Sequence, residues 1–177
     1  MTPADVASIL QTEFGSTVTG PTQAGPDLFV AVSPDQLVAI CRFLRDDPRL
    51  RFDLLNDITG VDYLEPDVKK VAKAGFEPHL ELVYHVSSFS VPGRRFTFKV
   101  VLPRWKNDTV GELPDVPTVC GIWRTADWHE REIYDLVGVR FLEHPDLRRL
   151  LLADDWVGHP LRKDYEFPLE YDGIRCR

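Results

Sequence analysis

Two strand-like segments in the middle of the chain restrict the folds that this sequence can adopt. Both Leu80–Ser87 and Phe96–Leu102 are rich in residues typical of strands, and apolar side chains alternate with polar ones in the second. The stretch Ser90-Val91-Pro92-Gly93 between them reads as a turn. We therefore expect the two strands to form a hairpin, with one face of each strand buried.

The other elements extend this pattern to α-β-β-α-β-β-β-α. Adjacent strands are linked too closely for repeated βαβ crossovers, so we predict an α+β fold. It is a two-layer domain with helices packed on one face of a mixed or mostly antiparallel sheet. In chain order, the predicted elements are a helix from Thr2 to Gly15, strands at Ser16–Gly20 and Asp27–Val32, a helix that begins at Ser33-Pro34, a strand at Phe52–Thr59 that ends at Gly60, the central hairpin, and a helix from about Ala126 to Val137.

Two further segments read as surface features. A turn region is predicted around Gly20-Pro21 and Gly25-Pro26, and Val68–Lys73 is a basic, solvated insertion. At 177 residues the chain is expected to form one globular domain, residues 1–145. Residues 146–177 are predicted to form an extended C-terminal docking segment that gains its order from a neighbour, with a frayed terminus as the alternative.

Composition excludes several classes of protein. A net charge of −7 argues against nucleic-acid binding, which needs a basic surface. No apolar run approaches the roughly 18 residues of a membrane helix, so we expect membrane association only through other chains. The N-terminal residues resemble neither a secretory signal nor a transit peptide, which favours the cytoplasm. The three cysteines lie far apart, so the sequence predicts no disulfide framework and no iron–sulfur cluster.

The run Glu130–Tyr165 combines dense charge with large aromatic side chains. Of its 36 residues, 14 are charged, and Tyr134, Phe141, Trp156 and Tyr165 lie among them. Mixed charge with aromatic and arginine anchors is typical of a surface that meets another protein. A solvated face and an enzyme active site are the alternatives.

Three sequence motifs in this run closely resemble those of a known family. They are Glu-Arg-Glu-Ile-Tyr-Asp-Leu-Val-Gly-Val-Arg-Phe at 130–141, His-Pro-Asp-Leu-Arg-Arg at 144–149 and Gly-His-Pro-Leu-Arg-Lys-Asp-Tyr at 158–165. Asn56–Tyr63 and His79–His85 also look like that family, so the resemblance covers roughly residues 52–165. The family is the 30-kDa-type subunit, also called the C subunit, of proton-pumping NADH:quinone oxidoreductase, which is respiratory complex I.

The resemblance implies a structural subunit without catalytic residues. It also implies no cofactor in this chain, since iron–sulfur clusters, flavin and quinone belong to partner subunits. The expected partners are the quinone-site (49-kDa-type) subunit, the terminal iron–sulfur-cluster subunit and other peripheral-arm subunits, on the cytoplasmic side of the cell inner membrane. By resemblance, the contacts between subunits would be made by Glu130, Arg131, Glu132, Asp135, His144, Pro145, Arg148, Arg149, Gly158, His159, Pro160, Arg162, Lys163, Asp164 and Tyr165.

A helical wheel of residues 126–137 singles out Glu130. Its carboxylate falls between Ile133 and Tyr134 on the apolar side, whereas Arg131 and Asp135 lie opposite. An unpaired carboxylate is strongly disfavoured there. We therefore expect Glu130 to be buried, and either paired with an arginine or capping its own helix.

Two alternatives to this interpretation stay open. His129 and His144, with Asp154 and Asp155, could form the centre of a stand-alone metal-dependent hydrolase, although their spacing matches no common metal motif. The chain could also be the equivalent subunit of a related membrane-bound hydrogenase or chloroplast-type complex, because the electron donor is selected by other chains.

Overall fold

The computed structural model describes residues 1–24, 27–67 and 69–176. Its elements are α1 (Pro3–Phe14), β1 (Val18–Ala24), β2 (Asp27–Val32), α2 (Leu37–Asp46), β3 (Leu54–Tyr63), α3 (Val71–Ala74), β4 (His79–Ser87), β5 (Arg95–Leu102), β6 (Asp115–Pro117), α4 (Ala126–Leu136), β7 (Arg140–Leu142), β8 (Glu170–Tyr171) and β9 (Ile174–Arg175). No helix in these described ranges is both long and apolar enough to cross a bilayer.

The main sheet has five strands in the order β1-β2-β5-β4-β3. Strands β2 and β5 are parallel, and the other neighbours are antiparallel. The central hairpin forms as predicted, with Leu80 opposite Leu102 and Ser87 opposite Arg95. Tyr84 in β4 and Phe98 in β5 point to the same buried face and stack there. The predicted mixed, mostly antiparallel sheet is confirmed.

Helices α1, α2 and α4 cover that buried face. Leu10 of α1 and Ile40 of α2 join the inward side chains of the strands in one core cluster, together with Ile133 of α4. Their burial removes apolar surface from water, which is the main driving force for the fold. The predicted two-layer α+β architecture is therefore confirmed.

Local signals predicted the start of α1 but not the start of α2. The Thr2 hydroxyl accepts from the Asp5 N–H at 3.2 Å, and the Asp5 carboxylate accepts from the Thr2 N–H at 2.7 Å. This capping box satisfies donors that the first turn leaves free, so α1 begins where the sequence predicts. The Ser33-Pro34 start differs, because Pro34–Gln36 form a 3₁₀ turn and α2 begins at Leu37.

The predicted boundaries of two strands were wrong. Strand β1 begins at Val18 and continues to Ala24, and β3 continues through Gly60 to Tyr63. Gly60 acts as a contact surface for α4: a Cβ there would lie 3.1 Å from Val137 Cγ2 and 3.2 Å from Ile133 Cγ2. The glycine in this strand therefore permits close helix packing and does not end the strand.

The surface predictions have mixed outcomes. Lys69, Lys70 and Lys73 are exposed, as expected for the basic insertion, and α3 overlaps its second half. Val68 of that insertion, and Gly25-Pro26 of the predicted turn, lie outside the described residues. Strand β6, in the segment between β5 and α4, pairs in parallel with β7.

The chain after β7 folds back onto α4. The Leu161 N–H donates to the Leu136 carbonyl at 2.9 Å, and Arg162 is buried beside it. Arg131 and Asp135, which the wheel placed away from the apolar side, are buried as well. Helix α4 therefore has the sheet on one side and the segment 146–165 on the other. The separate docking role of residues 146–177 stays a prediction.

We expect Gly60→Val to destabilise the fold by about 1–3 kcal/mol, because the new side chain overlaps Ile133 and Val137. Valine is favoured over glycine in strands, so local propensity alone predicts the opposite sign. Urea unfolding of the purified chain measures the difference. In an Ile133→Ala background the added volume has space, so the penalty should shrink; an equal penalty in both backgrounds would contradict the packing argument.

Candidate functional site

The predicted interface residues come from α4 and from the segment that covers it. Asp135 organises their contacts. Its side chain is fully buried, and its Oδ2 accepts from the N–H groups of Leu150, Leu151 and Leu152 at 3.0, 2.7 and 2.9 Å. Its Oδ1 accepts from Arg149 Nη1 at 2.7 Å. Burial alone would raise the pKa of the Asp135 carboxyl, but these backbone and guanidinium donors hold that pKa below its usual value.

Arg149 extends this arrangement along the segment. Its Nη2 donates to the carbonyls of Trp156 and Gly158 at 2.8 and 3.2 Å. His159 Nδ1 lies 2.9 Å from the Asp135 carbonyl, and burial lowers the pKa of this imidazole. The neutral ring therefore donates from Nδ1 to that carbonyl. One carboxylate and one guanidinium thus fix both ends of the loop 149–159.

Two glycines within the three family-like motifs leave space for aromatic rings. Gly138 has φ +78°, and a Cβ there would lie 2.5 Å from His159 Cδ2. Gly158 has φ +84°, and a Cβ there would lie 2.8 Å from Tyr165 Cε2. Both positions therefore exclude a side chain for conformational and steric reasons. The Tyr165 hydroxyl in turn accepts from Trp156 Nε1 at 2.8 Å.

Arg162 closes the C-terminal end of α4. Its Nε donates to the Val137 carbonyl at 2.6 Å, and its Nη2 donates to the Gly138 carbonyl at 3.0 Å. Its Nη1 donates to the Arg104 carbonyl at 2.8 Å, and the guanidinium lies 4.0 Å from the centre of the Trp105 ring. Burial lowers the pKa of Arg162 to about 10, which leaves it charged at neutral pH. A cation here satisfies carbonyls that the helix leaves free.

Asp62 and Arg104 belong to the site but were not predicted. Arg104 binds Asp62 through Nε at 2.7 Å and Nη2 at 2.9 Å, and it also binds Asp164 at 2.7 Å. The Lys163 N–H donates to Asp62 Oδ2 at 2.9 Å. Asp62 lies at an inward position of β3, opposite Leu80. An acidic residue at such a position needs a partner, and this signal could have indicated it.

Glu130 is buried as predicted, but its predicted partners were wrong. Its Oε1 accepts from the Val119 N–H at 2.8 Å, and its Oε2 accepts from the Thr118 hydroxyl at 2.5 Å and from the Cys120 thiol at 3.3 Å. The carboxyl therefore binds the loop before α4, and not an arginine or its own helix. Burial raises the pKa of Glu130 to about 7, although these donors oppose the shift.

The remaining predicted residues divide into covered and exposed groups. Arg131 is buried and directs its Nε and Nη2 to the carbonyls of Arg148 and Arg149 at 3.3 and 3.4 Å. The His144 side chain is fully buried, and Pro160 is partly covered. Glu132, Pro145, Arg148, Lys163 and Asp164 are exposed. Contact between any of these residues and another subunit stays a prediction.

The hydrolase ligands are not brought together. His129 Nδ1 lies 3.4 Å from Asp57, and Asp155 accepts from the Tyr171 hydroxyl at 2.7 Å. In the described part of the chain, the group of His, Cys, Asp and Glu atoms close enough to share a metal is Cys120, Glu130 and His144. Only one of the four proposed hydrolase residues is among them.

Comparison with known proteins identifies the family. The profile described as "Respiratory-chain NADH dehydrogenase, 30 Kd subunit" matches residues 30–171, and the chain belongs to this family. The matched range runs from the second half of β2 to the end of β8, and it includes α4 and the segment packed on it. The family resemblance of the three sequence motifs is therefore confirmed.

Relatives named as the C subunit of NADH-quinone oxidoreductase match most of the chain. The protein of Geotalea uraniireducens is 41% identical over 157 residues, which is 88% of this chain and 83% of that protein. The protein of a Roseiflexus species is 40% identical over 161 residues, or 91% and 82%. A C subunit of Rhizobium etli, numbered 2 in that organism, is 43% identical over 158 residues, or 88% and 72%.

Two solved structures share the fold. A trypsin-resistant fragment of Nqo5 is 26% identical, with a TM-score of 0.55, and the match covers 79% of this chain and 97% of the fragment. A chain of the membrane-bound sulfane sulfur reductase, an archaeal respiratory membrane complex, is 24% identical with a TM-score of 0.68. That match covers 92% of this chain and 85% of the other. At this identity, the second likeness concerns the fold alone.

We expect Asp135→Asn to lower the free energy of unfolding by about 3–5 kcal/mol, because Arg149 then keeps a largely covered charge without its carboxylate. Asp154→Asn, in the exposed part of the same segment, is the matched control and should change it little. Urea unfolding of both variants measures this. Because the folded pKa of Asp135 is lowered, its contribution is present above the unfolded pKa and is lost as pH falls through the folded value. Equal effects of the two substitutions would exclude Asp135 as the organising residue.

Glu130 gives a second, opposite pH dependence. Its folded pKa of about 7 lies above the ordinary 4.5, so the folded state holds the proton more tightly. Stability should therefore fall by roughly 3 kcal/mol as pH rises across this window, and stay level above it. Glu130→Gln removes the titration, so its unfolding free energy should lack this component when both proteins are unfolded in urea at several pH values. Parallel pH curves for the two proteins would refute the raised pKa.

Proposed function

We propose that this chain is a non-catalytic, peripheral-arm subunit of proton-pumping NADH:quinone oxidoreductase. Its neighbours would be the quinone-site (49-kDa-type) subunit and the terminal iron–sulfur-cluster subunit. Flavin, iron–sulfur clusters and quinone would be held by partner subunits, and the chain would reach the membrane only through the complex, on the cytoplasmic side. The family and the relatives at about 40% identity over most of the chain support this proposal.

The buried polar groups form their hydrogen bonds within this chain, which favours a structural role. A catalytic acid, base or nucleophile must reach a substrate. Asp135 has four donors within this chain, and Arg162 has three carbonyl acceptors within it. These groups hold the covering segment on α4, which is the arrangement expected of a scaffold.

The observation that carries the docking proposal is a set of exposed apolar side chains in residues 151–174, which include most of the covering segment and the chain after it. Of the 14 large apolar side chains that are exposed in the described residues, six lie between residues 151 and 174. We call them the C-terminal apolar surface: Leu151, Val157, Leu161, Phe167, Leu169 and Ile174. A concentration of exposed apolar residues in a soluble chain marks a site for a protein partner.

Charged residues accompany this surface, and the segment is held in place before any partner arrives. Arg148 and Lys163 are exposed within the segment, and Glu132 is exposed on α4 beneath it. An apolar centre with a charged rim is typical of protein interfaces. Because Asp135 and Arg162 fix the segment on α4, less conformational entropy is lost on docking.

The equivalent subunit of a related complex is the alternative within the same class. The sulfane sulfur reductase chain shares the fold at 24% identity, whereas the relatives from NADH-quinone oxidoreductase are about 40% identical. The higher identity favours the NADH:quinone complex. A membrane-bound hydrogenase or chloroplast-type complex would need the same docking surface with different electron-donor subunits.

Val157→Asp tests the docking surface. Val157 is 85% exposed, so the substitution should leave the melting temperature of the isolated chain almost unchanged, while a buried aspartate at an interface should weaken co-purification with partner subunits. The control is Val110→Asp, a change of the same type at an 80% exposed valine in the loop between β5 and β6. Pull-down from native membranes in mild detergent compares the variants. Equal recovery of partner subunits by both would reject the docking role of this surface.

A further inference from the structure

Three side chains with metal-binding atoms meet beside the N-terminal half of α4. They are Cys120 in the loop before the helix, Glu130 within it and His144 in the turn after β7. Their thiol sulfur, carboxylate oxygen and imidazole nitrogen all lie within 4.8 Å of one another. We propose that this cluster binds a divalent transition-metal ion, and that Zn²⁺ is the ion that suits its donors.

The donor types and their separations agree with zinc. Zinc in proteins takes cysteine sulfur, histidine nitrogen and carboxylate oxygen, whereas calcium and magnesium take oxygen. Zinc–ligand bond lengths place tetrahedral ligand atoms roughly 3.3–3.6 Å apart. Cys120 Sγ lies 3.3 Å from Glu130 Oε2, and His144 Nε2 lies 3.9 Å from the same oxygen. Small movements therefore complete the geometry.

Asp127 supplies a fourth possible metal ligand beside the same cluster. Asp127 Oδ1 is buried and has no hydrogen-bond partner among the residues that the structure describes. It lies 3.5 Å from His144 Nε2, and Asp127 comes almost one helical turn before Glu130, on the same side of α4. Buried polar atoms normally have a partner. A cation beside His144 Nε2 would supply one.

The cluster is enclosed but has an entrance. The side chains of Glu130 and His144 are fully buried, while Cys120 is partly exposed. Cys120 lines a surface groove together with Thr118, Glu143 and other residues, and this groove gives an ion access from solvent. The second Glu130 oxygen is held by the Val119 N–H at 2.8 Å, which keeps the carboxylate oriented.

Metal binding changes proton positions at all three ligands, because the fraction of Glu130 that is protonated near pH 7 also releases its proton to solvent. The Cys120 thiol, which donates to Glu130 in the metal-free arrangement, releases its proton to solvent. The Asp146 N–H donates to His144 Nδ1 at 3.0 Å, so the imidazole proton is on Nε2. Coordination through Nε2 requires this proton on Nδ1, and the Asp146 N–H must then turn away. The Asp146 amide is therefore a specific reporter of binding.

With Asp127 as the fourth donor, a bound Zn²⁺ would have no open position, which is the arrangement of a structural zinc site. It would tie the loop at residue 120 and the turn at residue 144 to α4. This role is independent of the docking proposal and of the assignment of electron carriers to partner subunits.

The test uses the full chain, reduced and stripped of metal by a chelator, with Co²⁺ as a spectroscopic probe and Zn²⁺ as competitor. We expect one equivalent of Co²⁺ to produce a thiolate-to-cobalt charge-transfer absorption, which one equivalent of Zn²⁺ removes. Zn²⁺ should raise the melting temperature and shift the Asp146 amide resonance. Cys120→Ser should abolish the absorption and weaken Zn²⁺ binding at least roughly 10-fold, since losing even a group that only orients a ligand weakens binding 10- to 100-fold.

Matched controls use the same residue types outside the cluster. Cys176→Ser and His129→Gln should keep the absorption and the affinity for Zn²⁺, whereas His144→Gln should lower the affinity as Cys120→Ser does. Circular dichroism tests whether each variant is folded. If a ligand variant is not folded, Asp127→Asn is measured in its place. The proposal is overturned if Co²⁺ does not bind, if it binds without the thiolate absorption, or if that absorption survives Cys120→Ser.

Discussion

The buried carboxylate of Asp135 is the interaction on which the C-terminal third of the structure depends. Removing a carboxylate from water is unfavourable by several kcal/mol unless donors surround it. Here three consecutive backbone N–H groups and Arg149 supply them. Because those donors belong to one short stretch of chain, satisfying the charge also fixes where that stretch lies on α4. Arg149 and His159 then continue the contact toward Arg162 at the end of the helix.

Helix α4 is held by two different kinds of interaction on its two sides. Ile133 and Val137 pack on Gly60 of the sheet, where the removal of apolar surface from water stabilises the contact. Arg131 and Asp135 face the covering segment, where hydrogen bonds and charge provide the stability. An amphipathic helix ordinarily leaves its polar side in water. In this fold that side is covered, and the apolar side chains of the covering segment face solvent instead.

Local chemistry predicted much of this structure, and long-range contacts account for what was missed. The central hairpin and the start of α1 after Thr2 depend on neighbouring residues, so alternation and spacing were sufficient. The wheel correctly predicted that Glu130 is buried. It could not identify Thr118 and Val119 as partners, because their loop is brought to Glu130 only by the tertiary fold. The same holds for Arg104, which meets Asp62 across 42 residues of chain.

The position of β2 in the sheet has a consequence for how the chain folds as it is synthesised. Strand β2 lies between β1 and β5, and the parallel pair joins Phe29–Val32 to Thr97–Val100. On the ribosome, β2 therefore waits for more than 60 residues before its second neighbour exists, which at bacterial or eukaryotic elongation rates is roughly 3–13 seconds. During that interval Val30 and Val32 are on an open strand edge, which is the condition in which nascent chains associate with each other. The central strand β5 is therefore the last of the five strands of the main sheet to be synthesised, and until then the N-terminal β-hairpin keeps an open edge.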